Sequence, residues 1–302
     1  MRIVSLLPSA TEICFALGLD KELVGVTHEC DYPAAAFAKP KITRSKANEH
    51  LSSAEIDALV RTQLDETGSI YELDLQALED LKPDVILTQR LCTVCAVSFD
   101  YVREQAAKIS TTPDVVNLEP RTVDEVFDNI ITVGNIAQIE HDAREYVVTL
   151  RDRIKNIANE VRDLPKPQVL FLEWADPPFA SGHWIPELIE LAGGINTKSF
   201  KHLPSRQISW QDINEIQAEI IIMAECGFGA KRQIQDAETL RTNLTYSPKE
   251  IWIADGSQYF SRPGPRLVES LEILAGVLHK EVRKKYLQPF LQRDEVQQFF
   301  TL

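Results

Sequence analysis

Glu173, Trp174, Asp176, Phe179, His183 and Trp184 follow directly on the apolar run Val169-Leu170-Phe171-Leu172. Carboxylates, an imidazole and aromatic faces at the end of a buried strand suit a site that orients a mostly apolar ligand through a few polar contacts. The same Trp and Pro residues would also serve as a cover over the end of a sheet, so packing and ligand contact both stand for this segment. A second group is His28, Glu29 and Asp31, with the composition of a metal site or a general-base pair. Neighbours in an extended segment point to opposite faces, so His28 and Glu29 enter one site only where the backbone turns.

The five cysteines are Cys14, Cys30, Cys92, Cys95 and Cys226. Cys92-x-x-Cys95 follows a predicted strand and precedes a predicted helix, whose N-terminus would favour a thiolate. Cys30, Cys92, Cys95 and His28 would make an inner shell for zinc or iron if the fold brought them within bonding reach. Small apolar packing residues and redox thiols are the competing readings. Cys14 falls inside an amphipathic stretch and reads as core. Phe228, beside Cys226, adds an aromatic face, and Arg262, set beside Pro263, would clamp carboxylate or amide groups through its planar fork. Ser9 and Glu12 have the spacing of a helix cap, with Thr11 between them open to contact, and Gln89 ends a strand.

With 302 residues, 44% hydrophobic and 25% charged, the chain has the composition of a soluble globular protein of one large or two medium domains. The formal charge, 32 minus 45, is -13. A nucleic-acid partner needs a basic face to neutralise phosphates, and this chain has no dense Lys/Arg run. No segment reaches the roughly 20 apolar residues of a membrane span, so no membrane insertion is expected. The opening MRIVSLLPSATE reads as a first strand rather than a signal segment. That predicts a cytoplasmic protein with reduced thiols, or a periplasmic one if the true start lies upstream. The acidic composition favours a monomer.

Positioning these residues requires alternating strands and helices. The pattern predicts strands at Ile3 to Leu7, Leu23 to Val26, Val85 to Thr88, Val115 to Leu118, Val169 to Leu172, Glu219 to Met223 and Ile251 to Ala254. Capping boxes at Ser9–Glu12 and Ser52–Glu55 predict helix starts, and Gly18 a stop. Further helices fall at Leu75 to Leu81, Pro186 to Ala192, Asp212 to Ile216 and Leu267 to Val277. From Val123 to Val161 breakers are nearly absent, which predicts one long helix or two joined near Gly134 to Glu140. The fold class is α/β: an N-terminal lobe over 1–133, a linking helix over 134–164 and a C-terminal lobe over 165–302. In open parallel sheets ligands bind beyond the carboxyl ends of the strands, where the residues above fall.

The segments IVSLLPSATEICFALGL, LEDLKPDVILTQ, HWIPELIELAGG, ISWQDINEIQAEIIIM and RPGPRLVESLEILAGVLH resemble the cobalamin and iron-chelate class of substrate-binding proteins of ATP-driven importers, over nearly the whole chain. The resemblance implies two lobes, each a small, mainly parallel sheet flanked by helices, bridged by one rigid long helix, with a corrinoid or other metal chelate in the cleft between them. It implies a binding protein rather than an enzyme, with an importer or intracellular corrinoid enzymes as partners. Ligand contacts would come from Ser9, Thr11, Glu12, His28, Glu29, Gln89, Cys92, Cys95, Glu173, Trp174, Asp176, Phe179, His183, Trp184, Cys226, Phe228 and Arg262. The alternative is a thiolate- or metal-dependent enzyme built on the same fold.

Overall fold

The structure is a computed structural model that describes residues 1–45, 51–67, 71–90 and 99–301. The chain divides into two compact units, one of Met1–Pro120 with Glu125–Val147, the other of Arg121–Asp124 with Val148–Leu302. Among the described residues no helix is long and apolar enough to cross a membrane.

Unit 1 opens with β1 (Ile3–Ser5), α1 (Pro8–Ala16) and β2 (Leu23–Val26), then β3 (Thr43–Ser45), α2 (Ser53–Thr67), β4 (Tyr71–Leu73), α3 (Leu75–Leu81), β5 (Val85–Thr88), α4 (Phe99–Ala106) and β6 (Asp114–Asn117). Its main sheet is parallel throughout, in the order β2-β1-β5-β6. Such a sheet is covered on both faces, which is why β1 and β5 carry no exposed residue. Val4, Leu6, Ile42, Leu78, Ile86 and Val102 form one core cluster there. Chain order reverses at β1, which has β2 on one side and β5 on the other; sheets of this kind bind ligands beyond the carboxyl ends of such strands.

The two predicted capping boxes fare differently. At Ser52 the box is real: the Glu55 carboxylate accepts from the Ser52 amide at 2.8 Å, and the Glu55 amide donates to Ser52 Oγ at 3.3 Å. At Ser9 it is not, because Pro8 takes the first helical position and makes Leu7 the N-cap, without a side-chain cap. Proline suits that place, having no amide to leave unpaired. Ser9 and Glu12 therefore lie inside α1. The stop at Gly18 holds, with φ at 71° after the C-cap Leu17.

The long helical stretch is two helices, α5 (Val123–Ile136) and α6 (Glu140–Val161), so the 134–164 linking helix is corrected to one that begins at Glu140. The turn between them brings Gly134 so near that a Cβ there would sit 2.3 Å from the Cβ of Ala143. The division between the units falls within α6.

Unit 2 continues with β7 (Gln168–Ala175), β8 (Pro178–Ala180), β9 (Gly182–His183), α7 (Ile185–Leu191), β10 (Ile195–Asn196), β11 (Phe200–Lys201) and β12 (Arg206–Gln207). After these come α8 (Trp210–Ile216), β13 (Ile220–Met223), α9 (Ile234–Asn243), β14 (Glu250–Ala254), α10 (Leu267–Leu278), α11 (Lys280–Tyr286), α12 (Gln288–Gln292) and β15 (Val296–Thr301). The sheet runs β12-β8-β7-β13-β14-β15, with β10 also paired to β7. β7, β13 and β14 are parallel neighbours, and β15 closes one edge antiparallel. Leu170, Leu172, Ile221, Met223, Ile251 and Ile253 share one core cluster, as the period of two along a strand requires. Phe171, on the opposite face of β7, meets Phe260 with 5.1 Å between ring centroids.

Candidate functional site

The carboxyl edge of the unit 2 sheet holds the most developed constellation. β7 runs three residues past its predicted end, so Glu173 and Trp174 are strand residues. Trp174 lies beside Phe228, 5.1 Å between ring centroids and 30° between planes. Its indole N–H donates to the Asp176 carbonyl at 3.0 Å, which fixes the ring against the β7–β8 turn. Glu173 Oε1 accepts the Gly182 amide at 2.8 Å, and the Glu173 carbonyl accepts the Cys226 amide at 3.1 Å. Trp174, Phe179, Cys226 and Phe228 are all half-buried, the state of groups that offer a face without leaving the fold.

The loop after β13 is held by its neighbours. Gly227 has φ of 81°, and Gly256 stands against it where a Cβ would lie 2.1 Å from the Glu225 carbonyl oxygen. Glu225 itself is fully buried, and burial, then the charge of Asp236, pushes its carboxyl up to about 9 against the pull of the Ala175 amide. Beyond β14, Asp255 caps the helical turn Gly256–Phe260, accepting the Gln258 amide at 2.8 Å. Burial raises its pKa, while Gln258 and Arg262 oppose the rise. Arg262 is buried and donates to Ser257 Oγ at 3.3 Å.

Trp184 differs from Trp174. It is the N-cap of α7 and only 5% exposed, with its ring 5.6 Å from that of His183. It belongs to the packing of α7, where His183, in the left-handed region at φ 50°, makes the corner between β9 and the helix. Gly182 permits the approach of the 203–205 chain, since a Cβ would meet the Ser205 amide nitrogen at 2.3 Å.

In unit 1 the backbone turn at Thr27–Cys30 brings His28 and Glu29 to one place. His28 Nδ1 is 2.8 Å from Thr43 Oγ1, and the Thr43 hydroxyl donates to Thr27 Oγ1 at 2.9 Å, so the ring nitrogen supplies the proton between His28 and Thr43. Glu29 Oε1 lies 3.9 Å from His28 Nε2 and accepts the Tyr71 hydroxyl at 2.8 Å. Nothing near Tyr71 and Thr43 in the chain marks the β3–β4 pairing that brings them to His28 and Glu29.

Thr11 and Cys30 are engaged internally. The Thr11 hydroxyl is 2.9 Å from Ser5 Oγ and 3.0 Å from Cys30 Sγ, and both Thr11 and Cys30 are buried. Ser9, Glu12 and Gln89 are buried at the same sheet edge. Cys92 and Cys95 lie outside the described residues. Among the described residues no three His, Cys, Asp or Glu side chains come together to hold a metal ion.

The profile of a family described as periplasmic binding protein matches residues 3–247. The vitamin B12-binding protein of Vibrio cholerae serotype O1 is 23% identical over 274 residues, covering 90% of this chain and 86% of the relative. The solved structure of the periplasmic vitamin B12-binding protein of Vibrio cholerae is similar with a TM-score of 0.66 at 20% identity, over 94% of this chain and 98% of that one. A periplasmic heme-binding protein from Pseudomonas aeruginosa gives 0.71 at 16% identity, over 92% of each. The family and these structures are periplasmic, which overturns the cytoplasmic location expected from the opening residues. The two-lobe α/β expectation agrees with them.

Proposed function

This chain belongs to the periplasmic binding protein family, and from that premise we propose that it binds cobalamin or a related corrinoid and presents it to an ATP-driven importer. The family is one of substrate-binding proteins, not enzymes, and the thiolate-enzyme alternative finds no support in it. The observation that carries the corrinoid reading is the Trp174–Phe228 pair at the carboxyl edge of the unit 2 sheet. Two half-buried rings, one fixed by its own N–H, offer a rigid apolar face for a flat macrocycle at small entropic cost.

Glu173, Asp176, His183 and Arg262 are the polar groups at the same edge, and they suit the amide side chains of a corrin ring. Ser9, Glu12, His28, Glu29 and Gln89 lie at the carboxyl edge of the unit 1 sheet, with His28 oriented by Thr43. Phe179 and Cys226 complete the apolar part. Binding requires no chemistry from these groups, only contact and orientation.

Tryptophan emission tests the reading. Cobinamide absorbs where tryptophan emits, so its binding beside Trp174 quenches the protein saturably, and Trp174→Phe removes most of that quenching. Emission that stays unchanged through a cobinamide and cobalamin titration overturns the corrinoid assignment.

A further inference from the structure

Glu225 is fully buried at the end of β13, with Oε1 accepting the Ala175 amide at 2.9 Å. Its Oε2, also buried, has no hydrogen-bond partner as a carboxylate oxygen. An ionised oxygen so placed is costly, whereas a protonated one is a donor. The acceptor beside it is the carboxylate of Asp236 on α9. Asp236 accepts from Arg232 at 2.9 Å, and the Arg232 guanidinium lies 4.5 Å from the centroid of the Phe228 ring. Phe228 in turn meets Trp174. A continuous line of contacts therefore leads from the buried acid to the aromatic face.

The frame around the acid has little room to relax. The Glu225 amide donates to Gln233 Oε1 at 2.9 Å, and Gln233 Nε2 donates to the Ala254 carbonyl at 2.8 Å. Gly256 presses on the Glu225 carbonyl from beyond β14.

We infer that Glu225 and Asp236 share one proton as an acid–carboxylate pair, and that this pair positions Arg232, Phe228 and Trp174 for the ligand. The ligand half of this inference rests on the corrinoid reading; the proton-sharing half does not. Two carboxylates in one buried space cannot both ionise cheaply. The other charged groups around Glu225 are committed elsewhere or act weakly on it. Glu173 on β7 receives the Gly182 amide, Asp255 receives Gln258 and faces Arg262, and Lys231 pairs with Asp294 at 3.0 Å. Arg232 is the cation that opposes the rise in Glu225, and it serves Asp236 directly.

Glu225→Gln is the discriminating variant, because a carboxamide accepts from Ala175 and donates to Asp236 without titrating. The ligand-free protein is titrated from about pH 7 to about 10.5, following the emission of Trp174 as the difference between wild type and Trp174→Phe. A one-proton change near pH 9 that is absent from Glu225→Gln is expected. Asp236→Asn, which removes the neighbouring charge, moves the change to lower pH. A change that persists in Glu225→Gln, or a wild type without one, overturns the inference. With cobinamide present, wild-type affinity falls about tenfold per pH unit above the transition while Glu225→Gln stays level. Level affinity in both overturns the positioning role. If neither binds cobinamide, the corrinoid reading and the positioning role fail, and the proton-sharing pair is decided by the ligand-free titration.

Discussion

Trp174 and Phe228 stand ring beside ring, 5.1 Å between centroids, one at the end of β7 and the other in the loop after its neighbour β13. Parallel pairing of these strands brings the two rings together from distant parts of the chain. Trp174→Ala and Phe228→Ala should each weaken corrinoid binding by about 1.5–3 kcal/mol, roughly tenfold to 150-fold, the worth of an apolar face of that size. Isothermal titration against cobinamide checks this, and affinities within twofold of wild type would contradict it.

Trp184 makes the opposite case. Because it is 5% exposed at the start of α7, Trp184→Ala should lower stability by about 3–5 kcal/mol, the usual cost of removing a buried aromatic ring. Urea unfolding gives the value. A loss of binding without a loss of stability would instead make Trp184 a ligand contact.

Gly256→Ala should be costly although it adds a single methyl. The new Cβ would lie 2.1 Å from the Glu225 carbonyl oxygen and 2.6 Å from the Ala224 carbonyl carbon, backbone atoms that no side-chain rotation can move. A destabilisation of about 1–3 kcal/mol is expected, together with displacement of the loop that carries Phe228. Gly229→Ala is the comparison, since its Cβ would find only Asp255 Oδ2, at 3.5 Å. Equal stability of the two variants would refute this.

Stability should fall with rising pH on account of Glu225. Burial first, and Asp236 second, raise its carboxyl from 4.5 to about 9 in the folded chain. The folded state thus favours the proton. Its contribution is fully present below about pH 4.5 and is lost as pH rises through about 9. Melting temperatures of wild type and Glu225→Gln, taken side by side, should diverge across that window in favour of the variant. Parallel curves would contradict the raised value.

Much of the scaffold was legible because its signals are local. β2, α3 and β5 fall where periodicity places them. Ser209 and Asp212 form a capping box that opens α8 at Trp210 rather than at the expected Asp212, whereas the box expected at Ser9 was overruled by Pro8 one residue earlier. The two- and three-residue strands from β8 to β12 are too short to show a period, so the edge of the unit 2 sheet was unreadable. Within the site, the aromatic and acidic residues of 173–184 announced themselves by type. Glu225 did not, because a Glu after a strand is ordinarily solvated, and its burial depends on Gln233 and Asp236, brought back by the turn into α9, and on Gly256, brought by the pairing of β13 with β14. The cytoplasmic location expected from the opening residues is overturned by the family match and the periplasmic structures, because an apolar first strand marks the fold and not the compartment.

Corrinoid binding is decided by a visible absorption titration of the purified protein with cobalamin and with cobinamide, using hemin as the competitor. A saturable change with one corrinoid per chain, not reversed by equimolar hemin, is expected. Saturation by hemin with no response to either corrinoid would contradict it.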